Sequence, residues 1–201
     1  MTVAVGPTPD SAIAETRAWV ERAVIGLNLC PFAKAPQVKG QVRYVVSEAR
    51  DAGALLAALV DELKRLAETP AGRIETTLLI HPCVLGDFLD FNDFLDLAEN
   101  AVVELELDGM IQVASFHPHY RFAGSAEDDV ANATNRSPYP TLHLLREESI
   151  DRAVAAFPQA EAIFEANVAT LRQLGTEGWA ALQRQCREDA STATTSVHGG
   201  E

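Results

Sequence analysis

The sequence predicts a single α/β domain with a mainly parallel sheet of about four strands, covered by helices, and a long functional loop after the third strand. Three observations predict this fold. Short apolar runs alternate with segments whose apolar residues recur at helical spacing. Such alternation implies parallel strands joined by right-handed crossovers. The apolar runs also contain few polar residues, as expected when helices cover both faces of a sheet.

Four apolar runs are the predicted strands, at residues 42–46, 74–80, 111–116 and 142–145. Amphipathic patterns predict helices at residues 10–28, 51–67 and 88–106. Because the second and third helices each connect two strands, we expect the first three strands to be parallel to one another.

Punctuating residues set the remaining boundaries. Pro31 ends the first helix and Gly109 ends the third. After the fourth strand, Ser149 caps a short helix, Pro158 begins another, and Gly175 interrupts it before a last short helix. We expect a loose leader at 1–9, one domain at 10–186 and a disordered tail at 187–201, where small polar residues show no periodicity.

Length and composition indicate a soluble globular protein. The 201 residues suffice for one domain with a sizeable core, and 47% hydrophobic and 22% charged residues are ordinary proportions. A formal net charge of −13 argues against binding to nucleic acid or to anionic membranes. No run is long enough to span a membrane, and we expect no secretory signal, because MTVAVGPTPD lacks a basic region followed by an apolar one. Because Cys30, Cys83 and Cys186 are scattered, we expect a reducing cytoplasm.

The segment between the third and fourth predicted strands, residues 117–140, is too long for an ordinary connection. It is not a Gly/Ser-rich linker, because it mixes aromatic, imidazole, guanidinium, amide and carboxylate groups. Long ordered loops of this composition usually carry function. The alternative is that its aromatic residues anchor the loop while its polar groups satisfy the loop's own backbone.

The second and third strands end alike, in LLIHPCVLG and ASFHPHYRFAG. Parallel strands bring their carboxyl ends to one edge of a sheet, where ligands of open α/β sheets bind. We therefore expect His81 and His117 to face a common cleft. A zinc ion could be held there by His81, Cys83, His117 and His119, since imidazole and thiolate are its usual ligands. No zinc-binding spacing is present, however, and proline alone is sufficient to end each strand.

A second group of side chains in this region is basic or carries amides and hydroxyls. Six of them are the expected substrate-binding residues: Arg121, Asn132, Asn135, Arg136, Ser137 and His143. Guanidinium groups recognise carboxylates and phosphates by paired hydrogen bonds, so this group predicts a site for a small anionic molecule. Arg146 belongs to the same basic group. Each arginine could instead pair with a neighbouring acid, but Arg136 has no acid beside it in sequence.

Together these patterns favour a small-molecule enzyme. His117 or His119 is the expected general acid or base, because imidazole titrates near neutral pH, and an aspartate of the pair 128–129 could orient it. Cys30 or Cys83 is a candidate nucleophile where a histidine lies nearby. The alternatives are a zinc protein and a non-catalytic ligand-binding module, which would contain the same residue types.

Three long motifs, GLNLCPFA (26–33), FHPHYRFAG (116–124) and NRSPYPTLHLLREES (135–149), resemble those of the bacterial family called domain of unknown function 1415. The resemblance spans residues 10–185, the extent of one domain. It implies a bacterial, soluble protein, and it implies no activity and no catalytic residue. Cys30 gains interest because it lies in the first motif, although a helix end followed by a packed Phe32 explains the same motif.

Overall fold

In a computed structural model, which describes residues 6–156 and 162–198, one mixed sheet lies between two layers of helices. Its strands are β1 (Val42–Val46), β2 (Thr76–Ile80), β3 (Ile111–Phe116) and β4 (Thr141–Arg146), in the order β1-β2-β4-β3. β1 pairs with β2 in parallel, and β4 is antiparallel to both of its neighbours. β1, β2 and β3 therefore run in one direction as predicted, but the prediction of a mainly parallel sheet is wrong.

β4 reverses direction because the connection from β3 to β4 stays at one edge of the sheet. His117 N donates to Asn135 O at 3.1 Å, and His81 N donates to Pro140 O at 3.0 Å. These bonds hold both ends of segment 117–140 at the carboxyl ends of β2 and β3. The segment contains a short 3-10 helix, Val130–Asn135, and no crossover helix, so the next strand runs back antiparallel.

The described residues form six α-helices: α1 (Pro9–Trp19), α2 (Lys34–Val38), α3 (Ala52–Glu68), α4 (Phe88–Glu104), α5 (Glu147–Ala156) and α6 (Ile163–His198). Of these, α2 was not predicted. Thr8, Asp51 and Asp87 cap α1, α3 and α4 by accepting bonds from backbone N–H groups of the first turn. None of the described helices is both long and apolar enough to cross a membrane.

Each face of the sheet has its own core. Helices α3 and α4 cover one face, with fully buried leucines and Phe91 packed on Leu79, Leu142 and Leu144. Helices α1 and α6 cover the other face, where Trp19, Leu171 and Trp179 pack around Leu78. This placement leaves the carboxyl ends of β1, β2 and β3 at an edge that loops close, and there the candidate site lies.

The first helix ends in a wide turn rather than a simple stop. After Trp19 the chain forms a π-helix, Val20–Ile25, and Leu29 N and Cys30 N both donate to Val24 O. A Cβ atom on Gly26 would lie 2.2 Å from Arg22 O, so glycine is required there. Asn28, at φ +55°, then turns the chain away, at the residue where the sequence predicted the end of the first helix.

The last helix is longer than predicted. Gly175, at φ +71°, interrupts α6 as expected, but residues 187–198 continue this helix where a disordered tail was predicted. Cys186 and Ala190 are buried, and Asp189 pairs with Arg22 of the π-helix. Tertiary contacts thus hold a segment whose sequence lacks helical periodicity. Residues 1–5 of the leader, segment 157–161 with Pro158, and residues 199–201 lie outside the described residues.

Arg146 belongs to the opposite edge of the sheet from the candidate site. Its Nη2 atom donates to Leu66 O at 2.7 Å, to Ile74 O at 3.1 Å and to Thr69 O, so it satisfies carbonyls at the end of α3. The expected place of Arg146 in a basic cluster around the loop is therefore wrong.

We predict that Arg146→Met lowers the free energy of unfolding by about 2–3 kcal/mol, because several half-buried carbonyls lose a charged donor. Urea denaturation measures this change. The matched control is Arg152→Met. Among the described residues Arg152 bonds to Glu148 and Ser149, both on α5, and it is exposed, so its loss should change stability by at most about 0.5 kcal/mol. Equal losses in the two variants would contradict the role of Arg146.

Candidate functional site

An open cleft of about 440 Å³ lies at the carboxyl edge of the sheet. It is lined by His119, Glu127, Asp128 and Arg136, all from segment 117–140. His119, Glu127 and Asp128 are exposed, whereas Arg136 is half-buried. The cleft thus combines an imidazole, two carboxylates and a guanidinium in a place where α/β proteins commonly bind ligands.

Arg136 is fixed by the loop that it helps to form. Its Nε atom donates to Tyr120 O at 3.1 Å, and its Nη2 atom donates to Glu127 O at 2.7 Å. Partial burial lowers the pKa of Arg136, and the nearby carboxylates of Glu127 and Asp129 act in the opposite direction. Among the described residues Arg136 makes no ion pair and its Nη1 atom has no hydrogen-bond partner. As predicted, it lines a cleft with His119.

Asn132 organises the loop from inside and was wrongly predicted to face a ligand. It is fully buried, and its Oδ1 atom accepts from Phe122 N at 3.1 Å and from Ser125 Oγ at 2.7 Å. Its Nδ2 atom donates to Ala126 O at 2.8 Å. With these three bonds its amide is committed to the backbone and to one neighbouring serine.

Two further expected binding residues also stabilise the loop. Asn135 Nδ2 donates to Ser115 O at 3.2 Å, and the buried Ser137 Oγ donates to Tyr139 O at 2.6 Å. The hydroxyl of Tyr139 donates to Glu15 Oε2 at 2.7 Å, which ties the loop to α1. For Asn132, Asn135 and Ser137 the alternative of a loop that satisfies its own polar groups is therefore correct.

His117 is fully buried and has no free ring nitrogen. Its Nδ1 atom accepts from His119 N at 3.0 Å, so the proton is on Nε2, which donates to Leu85 O at 3.2 Å. Burial lowers the pKa of His117. A neutral imidazole with both nitrogens engaged does not fit the role of general acid or base.

His81 and His117 converge, but within the core instead of facing a cleft. Their rings flank Phe91, with centroid distances of 5.6 Å and 5.1 Å. His81 is fully buried, its Nδ1 atom donates to Val84 O at 3.1 Å, and its Nε2 atom has no hydrogen-bond partner among the described residues. Burial lowers the pKa of His81 to about 4.

The predicted zinc ligands do not fit a metal ion. Both nitrogens of His117 are occupied by backbone groups, and Cys83 is exposed while His81 is enclosed. In the described part of the chain, no three His, Cys, Asp or Glu side chains are grouped so that they could share one metal ion. His81, Cys83, His117 and His119 are therefore not arranged around one common point as zinc ligands would be.

His143 lies within the sheet, away from the cleft. It is in register with Leu78 on β2 and Ala114 on β3. Its Nε2 atom donates to Thr76 Oγ1 at 2.7 Å, and that hydroxyl donates to Leu144 O at 2.7 Å. Burial lowers the pKa of His143 to about 4. The expectation that His143 binds substrate is wrong because strand pairing places it in the middle of β4.

Two other expected site residues do not line the cleft. Arg121 is exposed beside it, and Cys30 lies at the end of the wide turn after the π-helix. Burial raises the pKa of the Cys30 thiol, although the backbone N–H groups of Phe32 and Ala33 oppose this shift. A thiol kept protonated at neutral pH is a poor nucleophile, so the structure does not favour Cys30 in that role.

The sequence interpretation missed Glu127. It treated Asp128 and Asp129 as partners for arginines or as orienting groups for a histidine, and it gave Glu127 no role. The available signal was their adjacency, because a run of acids in a loop that already contains His119 and Arg136 concentrates opposite charges in a small space.

We predict that the free energy of unfolding falls as pH is lowered from about 6.5 towards 4. The pKa values of buried His81, His117 and His143 lie below the ordinary 6.5, so the unfolded chain binds more protons in this range. The contribution of these neutral histidines to the free energy of unfolding is fully present above the unfolded-state pKa. It decreases below that pKa by up to about 1.4 kcal/mol per pH unit for each proton. Urea denaturation at several pH values measures the slope.

His143→Gln should reduce that slope by about one proton, because the amide can still donate to Thr76 Oγ1 but does not titrate. Equal stability of the wild type at pH 7.5 and pH 5 would contradict the buried-histidine interpretation.

Comparison with known proteins agrees with the resemblance seen in the motifs. No curated protein and no solved structure matches the chain. The family described as "Protein of unknown function (DUF1415)" matches residues 11–181, which include the sheet, segment 117–140 and most of α6. The chain therefore belongs to the DUF1415 family.

Proposed function

We propose that this protein is a small-molecule enzyme that binds a carboxylate- or phosphate-bearing substrate in the cleft lined by His119, Glu127, Asp128 and Arg136. One observation carries the proposal. Arg136 is held by two backbone carbonyls, yet its Nη1 atom remains without a partner in the described chain beside an exposed imidazole.

A fixed guanidinium suits recognition of an anionic group. Because Tyr120 O and Glu127 O already restrain the side chain of Arg136, little conformational freedom is lost when Nη1 binds an oxygen of the substrate. Charge-assisted hydrogen bonds of this kind are also stronger than neutral ones. Arg136 is therefore the binding residue of the proposal.

His119 is the acid–base residue of the proposal. It is the one imidazole among the residues that line the cleft, imidazole is the commonest general acid or base in proteins, and this side chain is exposed to a ligand. The backbone N–H of His119 donates to His117 Nδ1, and this bond holds the main chain from which the His119 imidazole extends.

A cytoplasmic location belongs to the same proposal and is supported by three free cysteines.

We predict that Arg136→Lys weakens binding of phosphate, sulfate or succinate by about tenfold or more, because lysine retains the charge but not the guanidinium fork. Isothermal titration measures the affinities. Arg121→Lys is the matched control, since Arg121 is exposed in the same loop and does not line the cleft. The same affinity for every anion in wild type and Arg136→Lys would refute the assigned role of Arg136.

We predict that His119→Gln lowers kcat by about 10²–10⁴ while ligand affinity changes little, as expected on losing a general acid or base. The measurement needs a turnover substrate, found by screening phosphomonoesters and small carboxylic acids. Unchanged turnover in the variant would exclude His119 from the mechanism. Binding without turnover across the screen would favour the non-catalytic module instead.

A further inference from the structure

We infer that the ligand of the cleft is zwitterionic, a small molecule that carries an anionic group for Arg136 and a cationic ammonium group for Glu127 and Asp128. This inference rests on the proposed function, because it names the substrate class of the same site. It goes beyond a purely anionic substrate, which the sequence alone suggested.

The charges that line the cleft do not suit a dianion. The cleft has two carboxylates and one guanidinium, so carboxylates outnumber guanidinium groups in its lining, within a protein of formal net charge −13. A second negative charge on the ligand would therefore meet repulsion at short range from Glu127 or Asp128 and at long range from the rest of the surface. An ammonium group in the same position would be attracted by both.

The acidic side chains of the cleft are also available to bind a ligand. Glu127 and Asp128 make no side-chain hydrogen bond or ion pair with any described residue. Asp129, which does not line the cleft, is committed differently. Its Oδ1 atom accepts from Ala131 N at 2.9 Å, and its Oδ2 atom lies 3.9 Å from Arg172 Nη2. The loop thus uses one of its three consecutive acids structurally and presents the other two to the cleft.

Opposite charges in the cleft influence each other without touching. Glu127 lies close enough to Arg136 to oppose the effect of burial on that guanidinium, yet the two side chains form no ion pair. Arg136 is instead turned towards carbonyls, including the backbone oxygen of Glu127 itself. The cleft of about 440 Å³ therefore holds a guanidinium and two carboxylates that do not neutralise one another. A ligand with an anionic group opposite the guanidinium and a cationic group opposite the carboxylates would complement these charges.

Isothermal titration at constant ionic strength tests the inference with three matched series. The aminocarboxylates glycine, β-alanine, 4-aminobutyrate and 6-aminohexanoate are compared with dicarboxylates and with diamines of similar length. The distance between Arg136 and the carboxylates of the cleft determines which chain length of aminocarboxylate fits. We therefore expect at least one aminocarboxylate to bind about tenfold or more tightly than its matched dicarboxylate and diamine.

The double variant Glu127→Gln, Asp128→Asn should lose about tenfold or more in affinity for that aminocarboxylate, and bind the matched dicarboxylate equally or more tightly. Both residues are exposed, so folding should be unaffected. The control is Glu104→Gln, Asp108→Asn, which removes two exposed charges, one at the last residue of α4 and one just after it, neither of which lines the cleft. This control separates a local effect from a change in net charge, and it should leave both affinities unchanged.

The outcomes distinguish this inference from the proposed function. If dicarboxylates bind as tightly as aminocarboxylates and Arg136→Lys weakens both, the zwitterion is wrong and the anion site stands. If the cleft variant and the control variant change affinity equally, the two carboxylates do not contact the ligand and the inference is overturned. If no compound of any series binds, and phosphate and sulfate also fail to bind, the proposed function and this inference fall together.

Discussion

The backbone bonds that close segment 117–140 are the constraint on which the rest of the structure depends. His117 N bonds to Asn135 O and His81 N bonds to Pro140 O, so the chain leaves β3 and enters β4 at the same edge. That closure forces β4 between β2 and β3 as an antiparallel strand. It also holds a loop of over twenty residues against the sheet, where its ordered backbone can position Arg136 and His119.

Closing such a loop requires many polar groups to be satisfied away from water, which explains why its composition resembles that of a binding site. Asn132, Asn135 and Ser137 bond to carbonyls, amides or a hydroxyl within or beside the loop. Arg136 does so with two of its three nitrogens. The residues that stabilise the loop and the residues that could bind a ligand are thus of the same types. Only the folded structure distinguishes polar groups that are already hydrogen-bonded from those that are not.

This overlap accounts for what the sequence could and could not predict. Helices α3 and α4 and the directions of β1, β2 and β3 followed from periodicity, because burial of one face imposes it. The antiparallel insertion of β4 could not be predicted from periodicity, because it depends on a backbone hydrogen bond between His117 and Asn135, two residues that are distant in sequence. Arg136 and His119 of the predicted loop do line one cleft, while their binding and catalytic roles stay predictions. The roles of His117, His143 and Asn132 were wrong because residue type does not reveal burial.

If the proposed function holds, Arg136 would link the stability of the loop to occupation of the cleft. Its Nε and Nη2 atoms join Tyr120 O to Glu127 O, and Glu127 is itself a residue of the cleft. A ligand that binds Nη1 and a carboxylate of segment 127–128 would therefore connect parts of the loop that Arg136 already bridges. Such a ligand stabilises the folded loop by the free energy of its own binding. Because the same loop determines where β4 enters the sheet, ligand binding would raise the free energy of unfolding of the whole domain and not only the stability of the site.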